Sequence, residues 1–334
     1  WNEYTAENST YGGRPYYTYD EFGWDGDSYA YPMNIDLLWG GIQDQWSGSA
    51  QYSWDDNMDM GVINVLYDDW TRNNIYLFHT EIIEDGYAIF GTESNPLNLP
   101  AHFGNDAYNA PPILTMNDNG DGAAAILGTF AGNDIDNGYC DESAHSCNHI
   151  PIFKLTDNHG ATFYGDPETD GYYFIPDNVF EDIWENQILP NTNNGNLVEY
   201  CYNYDDDQNP EYDYDFDGVI EEMEEVVTYQ LDDWFSYYDY DFRVDGDGNI
   251  HAVMSIVPQS FEGYYHFVDG AAGFYHLTCD KEDIANPGEV NTADGWRWSF
   301  LMSGGDTWVW DVDNDGYTEL WQSHPNLSFA HDDP

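Results

Sequence analysis

Five stretches of this chain read as acidic loops, and four of them share one layout. Asp55-Asp56-Asn57-Met58-Asp59-Met60-Gly61 precedes the apolar run Val62–Tyr67, and Asn117-Asp118-Asn119-Gly120-Asp121-Gly122 precedes Ala123–Leu127. Asp245-Gly246-Asp247-Gly248-Asn249 precedes Ile250–Met254, and Asp311-Val312-Asp313-Asn314-Asp315-Gly316 precedes Tyr317–Trp321. The last acid of each loop falls at 59, 121, 247 and 315, a spacing of about 63 residues with one double interval. Such a period points to a repeat architecture. Between the loops lie short alternating runs: Ser49–Trp54, Gly61–Tyr67, Asn74–His79, Tyr87–Gly91, Pro112–Met116, Ala123–Thr129, Ile150–Leu155 and Tyr172–Ile175. They resume at Tyr240–Val244, Ile250–Val257, Tyr264–Val268, Gly273–Thr278, Trp296–Met302, Thr307–Val312 and Tyr317–Gln322. Many short strands separated by turn clusters indicate an all-β sandwich, barrel or propeller. A unit of about 63 residues holds four strands, one generous propeller blade. The expectation is a single all-β domain over residues 1–334, a β-propeller of five or six four-stranded blades.

The missing repeat falls near 184, where the pattern changes. Asp177 can cap a helix over Asn178–Leu189, with Val179, Phe180, Ile183, Trp184, Gln187 and Ile188 at helical spacing and Pro190 as its stop. A second helix fits 219–235, with Ile220, Met223, Val227, Leu231 and Trp234 on one face. Residues 166–236 therefore read as a partly helical insertion with an EF-hand-like loop. That loop, Asp213-Tyr214-Asp215-Phe216-Asp217-Gly218-Val219-Ile220-Glu221-Glu222-Met223-Glu224, places acids at positions 1, 3 and 5, Gly at 6 and Glu at 12. Oxygen ligands in this order converge on a hard cation, with the carbonyl of Val219 at position 7. The expected Ca²⁺ ligands are Asp213, Asp215, Asp217, Val219 and Glu224. Weaker candidates are Asp311, Asp313 and Asp315; Asp245, Asp247 and Asn249; Asn117, Asn119 and Asp121; and Asp55, Asn57 and Asp59. The alternative is structural: Asp, Asn and Gly make tight turns through local side-chain bonds and positive φ.

Charge makes a cation relevant. The chain carries 64 acids against 6 bases, a formal net charge of −58. Self-repulsion of this size opposes compaction. Bound cations, high salt, or a solvated acidic skin in a salt-adapted protein would each offset it. Nucleic-acid binding needs clustered Lys and Arg, and only Lys154, Lys281, Arg14, Arg72, Arg243 and Arg297 exist. No stretch approaches the ~18 apolar residues of a membrane span, so neither nucleic acid nor membrane insertion is expected. An 18% aromatic content argues against disorder. Four cysteines suggest two disulfides, Cys140–Cys147 and Cys201–Cys279, in a secreted chain. Zinc on Cys140, His145, Cys147 and His149 is the alternative. A start at Trp1 without an initiator Met suggests a processed product.

Thr156-Asp157-Asn158-His159-Gly160-Ala161-Thr162-Phe163 resembles the Asp-box, a hairpin turn of sialidase-like propellers, with Asn158 for Asp and Phe163 for Trp. Asp294-Gly295-Trp296-Arg297-Trp298 is a looser echo. The resemblance implies that the polar side chain folds back on the turn and that the aromatic packs between blades. It extends to secreted BNR/Asp-box-type propellers, and in flavour to Bacteroidetes surface proteins exported by type IX secretion, on phrases such as Asp241–Met254. A sialidase would need three converging Arg and a Tyr–Glu pair; Arg14, Arg243, Arg297, Tyr317 and Glu224 or Glu225 are the positions to test. No G-x-S-x-G, H-E-x-x-H or P-loop occurs. The functional expectation is a secreted or cell-surface, calcium-binding, non-catalytic protein for adhesion, binding or assembly. Its partner would be a further copy, a surface glycan or another protein. A sialidase-like hydrolase or a glycan-binding module is the alternative.

Overall fold

The computed structural model describes residues 2–4, 13–18, 33–38, 40, 43–72, 74–84, 87–97, 112–128, 150–167, 171–202, 224–260, 265–266, 268–303, 308–309, 319–320 and 326–329. Strands dominate them, and every pairing is antiparallel between neighbours in the chain. Sheet 1 holds β1 (Asn2–Tyr4), β2 (Gly13–Tyr17) and β3 (Met33–Asn34). Sheet 2 holds β4 (Gln45–Asp55), β5 (Met60–Asp69), β6 (Asn74–Glu84) and β7 (Tyr87–Phe90). Sheet 3 holds β8 (Ile113–Met116), β9 (Gly122–Gly128), β10 (Ile150–Thr156) and β11 (Tyr173–Phe174). Sheet 4 holds β12 (Asn196–Tyr202), β13 (Glu224–Val244), β14 (Ile250–Ser260), β15 (Gly273–Cys279) and β16 (Arg297–Ser303). β17 (Trp308–Val309) and β18 (Glu319–Leu320) pair with each other.

The alternating runs become strands because each sheet has faces to bury. The outcome depends on position. β9 is buried at every residue, and β14 at all but His251 and Gln259. A strand covered on both faces reads as a continuous apolar run rather than an alternation. The main core joins Leu66 and Leu77 of sheet 2, Ala124, Ile126, Ile152 and Phe153 of sheet 3, and Phe242, Met254, Tyr275 and Leu277 of sheet 4. A second, smaller cluster on the other face of sheet 2 joins Val65, Tyr67 and Phe78 to Ile35.

Successive sheets meet through their early strands, and small residues make the approach possible. β4 packs on β2, β8 on β4, and β13 on β8. The Gly13 N–H donates to Asp44 Oδ1 at 2.7 Å. Ser49 Oγ donates to the Leu114 carbonyl at 3.0 Å, and the Val244 N–H donates to Thr115 Oγ1 at 3.0 Å. A Cβ on Gly48 would stand 2.7 Å from the Pro112 carbonyl oxygen.

The helical segment runs as α1 (Asp177–Ile183), a π-helical turn (Trp184–Ile188) and α2 (Leu189–Asn191). Val179, Phe180, Ile183 and Ile188 are buried, as their spacing predicts. Phe180 stacks on Trp234 with ring centroids 4.3 Å apart. Asp177 lies in the first turn rather than capping it, and Pro190 lies inside α2 instead of ending the helix. The expected helix over 219–235 is overturned, because Glu224–Val244 is a strand paired with β12 and β14. Sheet pairing on both sides outweighs the helical spacing of Val227, Leu231 and Trp234. Of the expected run Tyr264–Val268, Tyr265 forms an isolated bridge with Gln259, while Tyr264 and Phe267 lie outside the described residues.

Cys279 is a free, buried thiol, so the expected Cys201–Cys279 bridge is not formed. Cys201 lies on β12 and Cys279 on β15, three strand spacings apart in the order β12-β13-β14-β15. That is ~14 Å at ordinary sheet spacing, beyond disulfide reach. Burial and the nearby Asp283 and Asp280 push the Cys279 thiol up to about 12. Cys140 and Cys147 lie outside the described residues, as do His145 and His149. Among the described residues no helix is long and apolar enough to cross a membrane.

If the β4–β8 approach is as close as Gly48 implies, Gly48→Val should cost about 1–3 kcal/mol in urea unfolding. An unchanged midpoint would show that the two strands stand further apart.

Candidate functional site

Two of the repeated acidic loops are the same turn built twice. In the β8–β9 loop, Asn117 Oδ1 accepts the N–H groups of Asn119 and Asp121, both at 3.0 Å. In the β13–β14 loop, Asp245 Oδ1 accepts those of Asp247 and Asn249, at 2.9 and 2.8 Å. The fourth residue of each must enter the left-handed region, and it is glycine in both: Gly120 at φ +87° and Gly248 at φ +91°. The loops also join sheet 3 to sheet 4. Asn117 Nδ2 donates to the Asp245 carbonyl at 2.8 Å, and Asn119 Nδ2 to that of Gly246 at 3.0 Å.

The Thr156–Phe163 turn continues this line toward sheet 2. Thr156 Oγ1 accepts the Gly160 N–H at 3.1 Å. Asn158 Oδ1 accepts the Thr162 N–H at 3.0 Å, and Phe163 packs against the main core. The His159 N–H donates to the Gly120 carbonyl at 3.0 Å. Its ring Nδ1 meets Ser53 Oγ at 2.9 Å, and its carbonyl accepts Asn64 Nδ2 at 2.8 Å. One row of hydrogen bonds therefore runs along the loop end of sheets 2, 3 and 4.

The chain supplies its own cation to this row. Lys281 Nζ pairs with Asp121 Oδ1 at 2.5 Å, and the Lys281 N–H donates to Asn249 Oδ1 at 3.1 Å. Burial works against the ammonium, but the Asp121 carboxylate more than offsets it and raises the Lys281 pKa. Other bases are used in the same way. Arg72 holds Asp69 and Glu93 at 2.6 and 2.5 Å and lies over the Tyr76 ring, 3.7 Å from its centroid. Arg243 pairs with Asp241 at 3.0 Å, and Arg297 with Asp280.

The expected ligand residues fall into three groups. Asn117, Asn119, Asp121, Asp245, Asp247 and Asn249 lie in the two joined loops, whose closure is accounted for by the amide bonds above. Asp55, Asn57 and Asp59 lie in the β4–β5 turn, where Asp55 Oδ1 accepts the N–H groups of Asn57 and Met58 at 2.8 and 3.2 Å and Asp59 takes φ +52°. Against a burial contribution that would raise it, those N–H groups hold the Asp55 carboxyl below its usual range. Asp213, Asp215, Asp217, Val219, Asp311, Asp313 and Asp315 lie outside the described residues. Glu224 opens β13 opposite Tyr202, so a strand follows the Asp213–Glu224 loop where an EF-hand would need a helix. Among the described residues no group of three or more His, Cys, Asp or Glu is gathered to hold a metal.

The positions tested for sialidase chemistry are dispersed. Arg14 belongs to sheet 1, while Arg243 and Arg297 sit three strands apart in sheet 4, ~14 Å at ordinary spacing. Tyr317 lies outside the described residues. A different tyrosine meets a glutamate: the Tyr67 hydroxyl donates to Glu93, with Arg72 beside both. Burial first, and then Glu93, hold the proton on Tyr67.

On the far face of sheet 4, His251 and His276 lie head to head, Nδ1 to Nε2 at 3.0 Å with ring centroids 5.2 Å apart. His251 Nε2 faces Asp245 Oδ2 at 3.3 Å. Burial pushes up the Asp245 carboxyl, but the Asn249 N–H and amide, His251 and the Asp247 N–H bring it below the usual range. An ionised Asp245 accepts a hydrogen bond from His251 Nε2–H, and in that tautomer His251 Nδ1 accepts one from His276 Nε2–H. Arg243 stands opposite His251 in the strand register. The C-terminal segment crosses here: the Leu327 N–H donates to Asp241 Oδ2 at 2.6 Å, and the Phe329 ring meets His251 edge-on at 5.0 Å.

No protein-family model, curated protein or solved structure matches the chain.

A double-mutant cycle of Lys281→Met and Asp121→Asn should give a coupling of about 1 kcal/mol, the upper end for a partly exposed pair. Strict additivity would show that the pair contributes nothing. Burial, and then His251, lower the His276 pKa. The fold therefore favours neutral His276, so its stability is complete above about pH 6.5 and is lost as pH falls through the depressed folded value. His276→Asn should flatten that acid slope in denaturation midpoints; an unaltered slope would assign it to other groups.

Proposed function

We propose that the chain is a non-catalytic, calcium-binding β-propeller that serves adhesion, binding or extracellular assembly. The observation that carries this reading is the order of the sheets. Each is a meander of consecutive strands, and β2, β4, β8 and β13 meet in succession. In a propeller the early strand of each blade lies near the axis, and each blade is covered by its two neighbours. Burial of β9 and β14 on both faces fits that arrangement. The folded-back Asn158 and core-packed Phe163 support the likeness to Asp-box propellers. Sheet 1 and the β17–β18 pair would complete a ring of five or six blades.

Calcium is assigned to the Asp213–Glu224 and Asp311–Asp315 loops on the spacing of their acids. Bound there, it would bring positive charge into a field that opposes compaction and stabilise the folded form by linkage. A binding role is favoured over hydrolysis because Arg72, Arg243, Arg297 and Lys281 bond within the fold and the Tyr67 phenol keeps its proton. A secreted or cell-surface location follows from this reading.

Single-particle images should show five or six sheets around an axis, whereas an open stack of sheets would overturn the propeller. Chelator at low salt should lower the melting temperature by about 5 °C or more. An unchanged melt would remove calcium from the account and leave the ring to be judged separately.

A further inference from the structure

We infer that the exposed face of the β4–β5 hairpin docks a cationic, Lys/Arg-rich polypeptide segment; this deepens the binding-scaffold reading and rests on it. One face of β4 carries Ala50, Tyr52 and Trp54, beyond the register shift at Gly48. The opposing β5 residues Val65 and Tyr67 continue that face into the smaller core, which sheet 1 covers through Tyr17 and Ile35. Toward the hairpin tip the cover ends. Tyr52 is 59% exposed, Trp54 44%, and Met58 in the turn 55%. Single exposed apolar residues are ordinary, but three large ones on one hairpin mark a contact surface.

The platform is already formed. A Cβ on Gly61 would stand 2.6 Å from the Tyr52 ring, so this ring lies close against the β5 backbone. A side chain held in place before binding loses less entropy on contact. The surrounding charge selects the partner. Asp56 and Asp59 are exposed in the turn, while Asp55 is occupied by its own N–H bonds. Aromatic faces beside free carboxylates suit ammonium and guanidinium groups, through cation–π attraction and charge-assisted hydrogen bonds. At long range the −58 net charge steers cations inward and repels polyanions. Arg72, Arg243, Arg297 and Lys281 form ion pairs within the fold and do little to weaken that field.

The test is fluorescence anisotropy of a labelled oligolysine peptide, with oligoglutamate, an uncharged Gly/Ser peptide and a neutral oligosaccharide as comparisons. Oligolysine should bind, and binding should weaken as NaCl rises. Trp54→Ala combined with Met58→Ala leaves the charge unchanged and should weaken binding about tenfold. Leu37→Ala with Leu38→Ala, exposed elsewhere, should leave it unaltered. Equal oligolysine affinity for the wild type and the Trp54/Met58 variant would overturn the hairpin site while leaving the scaffold reading intact, since the overall field alone would then attract the peptide. Binding of the neutral oligosaccharide in place of oligolysine, lost in the same variant, would assign the surface to a glycan and overturn the cationic partner. Binding of none of these probes, with no self-association of the chain, would count against both readings.

Discussion

Sixty-four carboxylates and six basic side chains must share one fold, and the carboxylates at the loop ends and beneath the sheets of the described residues are held by donors close at hand. Two kinds of donor recur. The first is the backbone: Asp55, Asp245 and, through its amide, Asn117 each accept N–H groups from their own turn. The second is a few deliberately placed cations. Lys281 joins loops of sheets 3 and 4, and Arg72 gathers Asp69, Glu93 and Tyr67 on sheet 2. Each such bond contributes little alone, but an unpaired buried carboxylate would be costly.

Close packing and polar closure therefore act at the same places. Gly48, Ser49 and Thr115 allow the early strands of neighbouring sheets to approach. The Asn117, His159 and Asp245 turns then tie the loop ends of those sheets together. The hairpin at Asp55–Asp59 stands apart in this respect, since it leaves Trp54, Met58 and two carboxylates facing outward.

Strand positions were legible because period-2 runs and turn residues are local properties. The runs at Ser49–Trp54, Ile150–Leu155, Ile250–Val257 and Trp296–Met302 lie inside or overlap β4, β10, β14 and β16. The repeated loops were also legible as turns, since Asx bonding and a positive-φ glycine are written in five residues. What failed was non-local. Val227, Leu231 and Trp234 satisfy a helical spacing, yet pairing with β12 and β14 decides the outcome. The Cys201–Cys279 pairing ignored two intervening strands. The Lys281–Asp121 bond spans 160 residues, and nothing near either residue announces it. Tyr67 and Glu93 likewise meet across 26 residues with no local signal, and Tyr317 lies outside the described residues.

The bonds at the loop ends should hold sheets 2, 3 and 4 together as firmly as the core does. Native-state hydrogen exchange tests it most directly, residue by residue. The amides of Asp121, His159, Asp247 and Asn249 should open with the same free energy as those in the middle of β9 and β14. Much faster exchange at these four positions, insensitive to denaturant, would mean that the loops fray independently and that the row of hydrogen bonds does not hold the sheets together.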